Sequence, residues 1–136
     1  MGLETSIVTV LTDDATVAAL VDDRVRPEVG YPEEDDAQIT YTYTDEPVYH
    51  STGVAALRYS RISLTCWGRT KESADLVFDA VKSELEGSDC PKTFGDVYLQ
   101  TLRRTNADAR ASAISETSEN TPDWWVRSME YFAAWQ

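Results

Sequence analysis

The chain has little with which to perform metal, redox or nucleophilic chemistry. Its 136 residues include two cysteines, Cys66 and Cys90, and one histidine, His50. Two distant cysteines and a lone histidine exclude a tetrahedral zinc site and form no disulfide framework. His50 lies between Tyr49 and Ser51, with no neighbouring carboxylate to hold it as a base and no positioned nucleophile. There is no glycine-rich phosphate loop and no dinucleotide fingerprint. No apolar run approaches the roughly 20 residues that span a bilayer. The N-terminus lacks the basic and apolar regions of a signal peptide. The expectation is therefore a protein that folds and assembles in a cytoplasm, without cofactor or metal.

Basic charge is scarce as well. There are 12 basic residues against 24 acidic ones, for a formal charge of -12. Only Lys71, Lys82 and Lys92 are lysines. Such a surface repels nucleic acid rather than binding it. It also suits a high-salt habitat, where the self-repulsion is screened. The length is that of one domain, residues 1–136, and a 42% hydrophobic content supports an ordinary core.

What is present is a strand, a turn and a helix in one run. From Arg58 to Trp67, Ile62, Leu64 and Cys66 alternate with Tyr59, Arg61, Ser63 and Thr65, the period of a half-buried strand. After Gly68, the residues Ala74, Val77, Phe78, Val81 and Leu85 share one face of an amphipathic helix, and Gly87 supplies its stop. Leu3 to Leu11 predicts a short helix. Asp13 or Asp14 caps a second one through Val21. Val25 to Asp36, with Pro27, Gly30 and Pro32, reads as irregular. Gln38–Thr44, Phe94–Arg104 and Trp124–Trp135 read as further strands, with Val97 and Leu99 on the core face of the second.

The predicted fold class is α+β: a four-stranded, mainly antiparallel sheet covered by one long helix, with short N-terminal helices. Residues 106–123, polar and rich in Ala, Ser, Thr and Glu, read as a long β-hairpin loop or arm. One sheet face is left for solvent or a partner, with Tyr59, Trp124 and Phe132 on it.

The charge is also uneven along the chain. Asp13–Glu46 contains eleven acids but only Arg24 and Arg26, whereas Pro47–Lys71 contains no acid but Arg58, Arg61, Arg69 and Lys71. One reading is two differently solvated surfaces. The other is a heterologous contact between the acidic region of one subunit and the basic region of the next, which closes into a ring. The second reading makes Arg58, Arg61, Glu33, Glu34, Asp35, Asp36 and Arg110 candidate interface residues. The run Glu33–Asp36 lacks the spacers and turn glycine of a calcium loop and reads as solvated. Arg103–Arg104 reads as a basic pair for carboxylates.

In order and spacing, the chain resembles the tail terminator, or tail completion, proteins of long-tailed double-stranded DNA phages and related viruses. Asp14–Pro27 is similar to that family's opening helix and its exit through an Arg-Val turn, and Ala37–Tyr41 to its first strand. Arg61–Gly68 resembles its second strand, Lys71–Leu85 its long helix and Arg127–Trp135 its closing strand. Residues 106–123 exceed the family's usual connection, and the acidity is unusual for it.

The resemblance implies a non-enzymatic virion protein, assembled in the host cytoplasm. A homohexameric ring would cap the head-proximal end of the tail tube, stop its polymerisation and join the tail to the head connector. Its partners would be itself, the major tail tube protein and a connector or neck protein. DNA would pass through without specific binding, and no membrane would be involved. The alternatives are a neck or head-completion adaptor on the portal side and a small cytoplasmic ligand-binding domain.

Overall fold

The computed structural model describes residues 2–27, 37–46, 58–87, 89–114 and 124–136. In chain order the elements are α1 (Leu3–Asp13), α2 (Ala15–Val21), β1 (Val25–Pro27), β2 (Gln38–Glu46), β3 (Arg58–Gly68), α3 (Lys71–Glu86), β4 (Lys92–Phe94), β5 (Val97–Ala107), β6 (Ser112–Ile114) and β7 (Trp124–Trp135).

The strand-turn-helix run folds as its period requires. On β3, Ser60, Ile62, Leu64 and Cys66 are buried beneath the helices. Gly68 follows because α3 begins at once: a Cβ there would lie 2.6 Å from the Ala74 nitrogen. Thr70 caps the helix, its Oγ1 accepting from the Ser73 N–H at 3.0 Å. Ala74, Val77, Phe78, Val81 and Leu85 are all buried, and α3 packs on β3 and β7. Gly87 does end the helix, but with right-handed backbone (φ -72°) instead of the left-handed turn. Asp14 caps α2 by accepting from the Val17 N–H at 2.9 Å.

The sheet is larger than the four strands expected. Among the described residues it has seven, in the order β1-β2-β3-β7-β5-β4, with β6 also paired to β7. Three helices and a curled sheet thus make a mixed α/β domain. The added strands have three residues each, too short to show a period. Part of the stretch read as irregular, Val25–Pro27, is β1, parallel to β2 at one edge, where a proline costs no ladder bond.

The strand expected from Phe94 is a hairpin instead, Phe94 pairing with Val97. Gly95 takes the positive φ of 58° that its first turn position needs. A bulge between Leu99 and Thr101 then switches parity, so Leu102 follows Val97 and Leu99 towards the helices.

Of the segment expected as a long loop or arm, residues 106–123, the described part contains strand at both ends. Asn106 and Ala107 belong to β5, and Ser112–Ile114 form β6 along the same side of β7. The turn between them is pinned. The Asp108 N–H donates to the Ser128 carbonyl at 2.8 Å, and Arg127 donates to the carbonyls of Asp108 and Ala109 at 3.1 Å each. Residues 115–123 lie outside the described residues.

The helix-side core unites Leu3, Ile7 and Leu11 with Ile39, Ile62, Leu64, Phe78, Leu99, Met129 and Tyr131. Ser60, fully buried, ties three strands together: its Oγ donates to Asp45 at 2.8 Å, accepts from Trp135 Nε1 at 2.9 Å and shares a hydrogen bond with the Tyr43 hydroxyl at 2.8 Å. Burial, foremost, pushes the Tyr43 phenol up to about 12. Both cysteines are free, Cys66 within the core. No described helix is long and apolar enough to cross a membrane.

Candidate subunit interface

The sheet face turned away from the helices is laid out by register. Strands β2, β3, β7 and β5 put residues there in cross-strand rows. Thr40, Thr65 and Ser128 form one row, and Thr42, Ser63 and Glu130 the next. The row Thr44, Arg61, Phe132 and Arg103 follows. Hydroxyls link neighbours, as between Thr65 and Ser128 at 3.2 Å.

The third row is the most unusual part of this surface. Phe132, half-buried, has the Arg61 guanidinium 5.8 Å and the Arg103 guanidinium 5.7 Å from its ring centre. Tyr59 stacks on the same ring at 5.6 Å. The quadrupole of the ring favours both cations. Arg61 also pairs with Glu130 at 3.4 Å. Glu130 is well occupied, since Thr105 Oγ1 donates to it at 2.8 Å and Ser63 Oγ at 3.4 Å. In a chain of net charge -12, this is a local cationic-aromatic patch.

One end of the face is closed by a second cluster of Trp67, Trp124 and Val126. Trp67 and Trp124 meet edge-on at 5.9 Å, Trp67 Nε1 donates to Thr40 Oγ1 at 2.8 Å, and Arg69 lies 3.9 Å over Trp124. Trp124 is therefore buried, while Trp125 on the opposite face is half-buried.

The helix layer has the opposite character. Helices α2 and α3 border an apolar groove of about 650 Å³ lined by Ala15, Ala19, Leu20, Leu76, Asp79 and Ala80 among others. Leu76 is 50% exposed. Glu72 and Asp79, both exposed, flank it one turn away on α3. Behind them, Arg127 is bound by Asp75 at 3.2 Å over the Phe78 ring. Tyr131 donates to Glu86 at 2.7 Å, and burial with that carboxylate raises its phenol. Burial first, then the neighbouring Asp14 carboxyl, raises the Glu84 carboxyl.

The sequence-predicted residues are not all brought together. Arg61 lies on the open face, but Arg58 lies on the helix side of the same strand, 5.4 Å from the Trp135 ring. Arg110 is exposed in the turn between β5 and β6. Glu33, Glu34, Asp35 and Asp36 lie outside the described residues, as does His50. Sequence reasoning placed Phe132 on a sheet face left for solvent or a partner, but it did not select Arg103, Glu72, Leu76 or Asp79. Only their register and helical spacing reveal them.

No group of three metal-ligating side chains occurs among the described residues, and none of their buried side-chain nitrogens or oxygens lacks a partner. The polar recess by Ser63, Asp108 and Glu130 holds about 120 Å³, below the roughly 300 Å³ of small-molecule sites.

No protein-family model and no curated protein matches the sequence. Among solved structures, the fold matches a chain from the virion of a native gene transfer agent (GTA) particle. The TM-score is 0.72 at 16% sequence identity, covering 98% of this chain and 93% of that one. The two chains share a fold over almost their whole lengths.

Proposed function

We propose that this chain is a structural subunit of a phage-like virion. It forms a ring at the head-proximal end of the tail tube, ends tube polymerisation there and joins the tail to the head connector. The observation that carries this reading is the likeness to a GTA virion chain, which spans 98% of this chain. The order of elements that resembles tail terminators supports the finer placement, and six copies per ring follow from that resemblance alone.

The work asked of such a protein is association and geometry, without chemistry. Its net charge of -12 suits a ring through which DNA slides, since a lumen of like charge does not retain the phosphate backbone. Its partners are further copies of itself, the tube protein and a connector or neck protein.

The test is imaging of the purified protein, followed by incubation with tail tubes of the same particle. Rings seated on one tube end, on tubes that then cease to lengthen, are expected. Rings that bind only the head connector would establish the portal-side adaptor instead. A protein that stays monomeric at every concentration would remove the ring altogether.

A further inference from the structure

A ring of identical subunits needs two different surfaces that fit each other. On α3, Glu72, Leu76 and Asp79 stand at i, i+4 and i+7, one stripe on one face. All three are exposed. Neither Glu72 nor Asp79 forms an ion pair or hydrogen bond with a described residue. The stripe reads acid, apolar, acid. Seven residues at about 1.5 Å each separate the two acids by about 10 Å.

On the open sheet face, Arg61, Phe132 and Arg103 occupy three adjacent strands in one row. That row reads cation, aromatic, cation. Two strand spacings of about 4.8 Å separate the two arginines by about 10 Å. The two triplets therefore match in order, sign and spacing, and they belong to opposite layers of the same molecule.

We infer that the α3 stripe of one copy docks across the β3–β7–β5 row of the next, Leu76 against Phe132, Glu72 on Arg61 and Asp79 on Arg103. The occupant of each surface is thus a second copy of this chain. The contact is head-to-tail, since no copy can satisfy its own row with its own helix through the thickness of the sheet.

Leu76 supplies apolar contact at the centre, and the charged pairs form the rim and fix the register. Arg103 forms no ion pair with a described residue, so a carboxylate from the neighbour displaces no bridge there. Two copies at -12 each repel at long range, so attraction has to arise where opposite charges come within hydrogen-bond reach. The apolar groove beside Leu76 gives room for the edge of the neighbouring sheet. The inference rests on the ring reading above and names the surfaces that reading leaves open.

The test uses Arg103→Glu and Asp79→Arg, two exposed positions, with circular dichroism and melting curves to verify the fold. Each variant alone should self-associate about tenfold or more weakly than the wild type. An equimolar mixture of the two is the decisive sample. Each variant restores the charge complementarity that the other has lost, so the mixture should form rings in which the two variants alternate in equal number, seen by light scattering. The double variant Arg103→Glu/Asp79→Arg should recover ring formation, and Leu76→Asp should abolish it in a folded chain.

Rings of normal size and affinity from both single variants would overturn the surfaces named here and leave the ring reading standing. Self-association of Asp79→Arg alone with an isologous dimer mass would show sheet-to-sheet contact and overturn the head-to-tail assignment. A monomeric wild type would overturn both.

Discussion

Phe78 packs from the helix layer into the core shared with the sheet. It is 3% exposed, and the Arg127 guanidinium lies 3.8 Å from its ring centre. Arg127 is itself held by Asp75 at 3.2 Å and by two carbonyls of the β5–β6 turn. Phe78→Ala removes the ring and leaves a cavity between α3 and the sheet, which costs about 3–5 kcal/mol. Domains are stable by about 5–15 kcal/mol in total, so this variant should be close to unfolding. Phe78→Leu keeps most of the volume and should cost about 1–1.5 kcal/mol. Part of that loss is the cation–ring contact. A double-mutant cycle of Phe78→Leu with Arg127→Met should give a coupling of about 0.5–2 kcal/mol. Urea titration followed by tryptophan fluorescence and circular dichroism measures all four proteins, with an unchanged denaturant slope as the check on a common unfolded state. A loss under about 1 kcal/mol for Phe78→Ala would show that the ring is not packed between α3 and the sheet.

Three further outcomes are expected. Thr40→Val should cost about 1–3 kcal/mol, because Trp67 Nε1 loses its buried acceptor at 2.8 Å; Thr40→Ser should restore most of it, and equal stability of Val and Thr in chemical denaturation would count against that bond. Glu84 has its carboxyl raised by burial and by Asp14, so its contribution is present below the unfolded carboxyl pKa and lost as pH rises through the folded one. Glu84→Gln should therefore raise the melting temperature at neutral pH, with the gain fading in acid; a pH-independent difference would refute the coupling. Replacing residues 116–122 by Asn-Gly should leave the melting temperature unchanged, because Ile114 already pairs with Trp124, and should impair particle completion. A normal yield of infectious particles would remove any assembly role for that segment.

Much of the fold was legible because the long elements carry strong periods. The run of Ile62, Leu64 and Cys66 and the stripe from Ala74 to Leu85 each specify a face without help from the rest of the chain. The cap of α2, open between Asp13 and Asp14 in sequence, is supplied by Asp14 through its side-chain chemistry. The strands that were missed are three residues long, and such pieces exist only because a neighbour offers a ladder. Val25 becomes a strand by meeting Ile39, and Ser112 by meeting Val126. The bulge after Leu99 was equally hidden, since a parity change in one strand is set by the register of its partner. The strand residues at the start of the segment read as a loop, Asn106, Ala107 and Ser112–Ile114, were hidden for the same reason. The segment's polar composition suits an exposed edge as well as a loop, and the pinning contacts come from Arg127 and Ser128, far along the chain.

The interface was less legible than the fold. Charge segregation along the sequence pointed to Arg58 and Arg61 together, but alternation on a strand sends two residues three apart to opposite faces. Arg58 therefore leaves the open face, and Arg103 replaces it through the register that aligns it with Phe132. A row of this kind spans three strands and is a property of the assembled sheet, so no local window of sequence contains it. The matching stripe on α3 is local, and its i, i+4, i+7 spacing was available throughout. Its acids do not stand out in sequence, because an acid on the outer face of a helix is ordinary in a chain with 24 of them. What distinguishes Glu72 and Asp79 is that they bracket an exposed leucine. The leucine borders the apolar groove between α2 and α3, so a neighbouring copy that docks there would meet an apolar surface larger than one side chain.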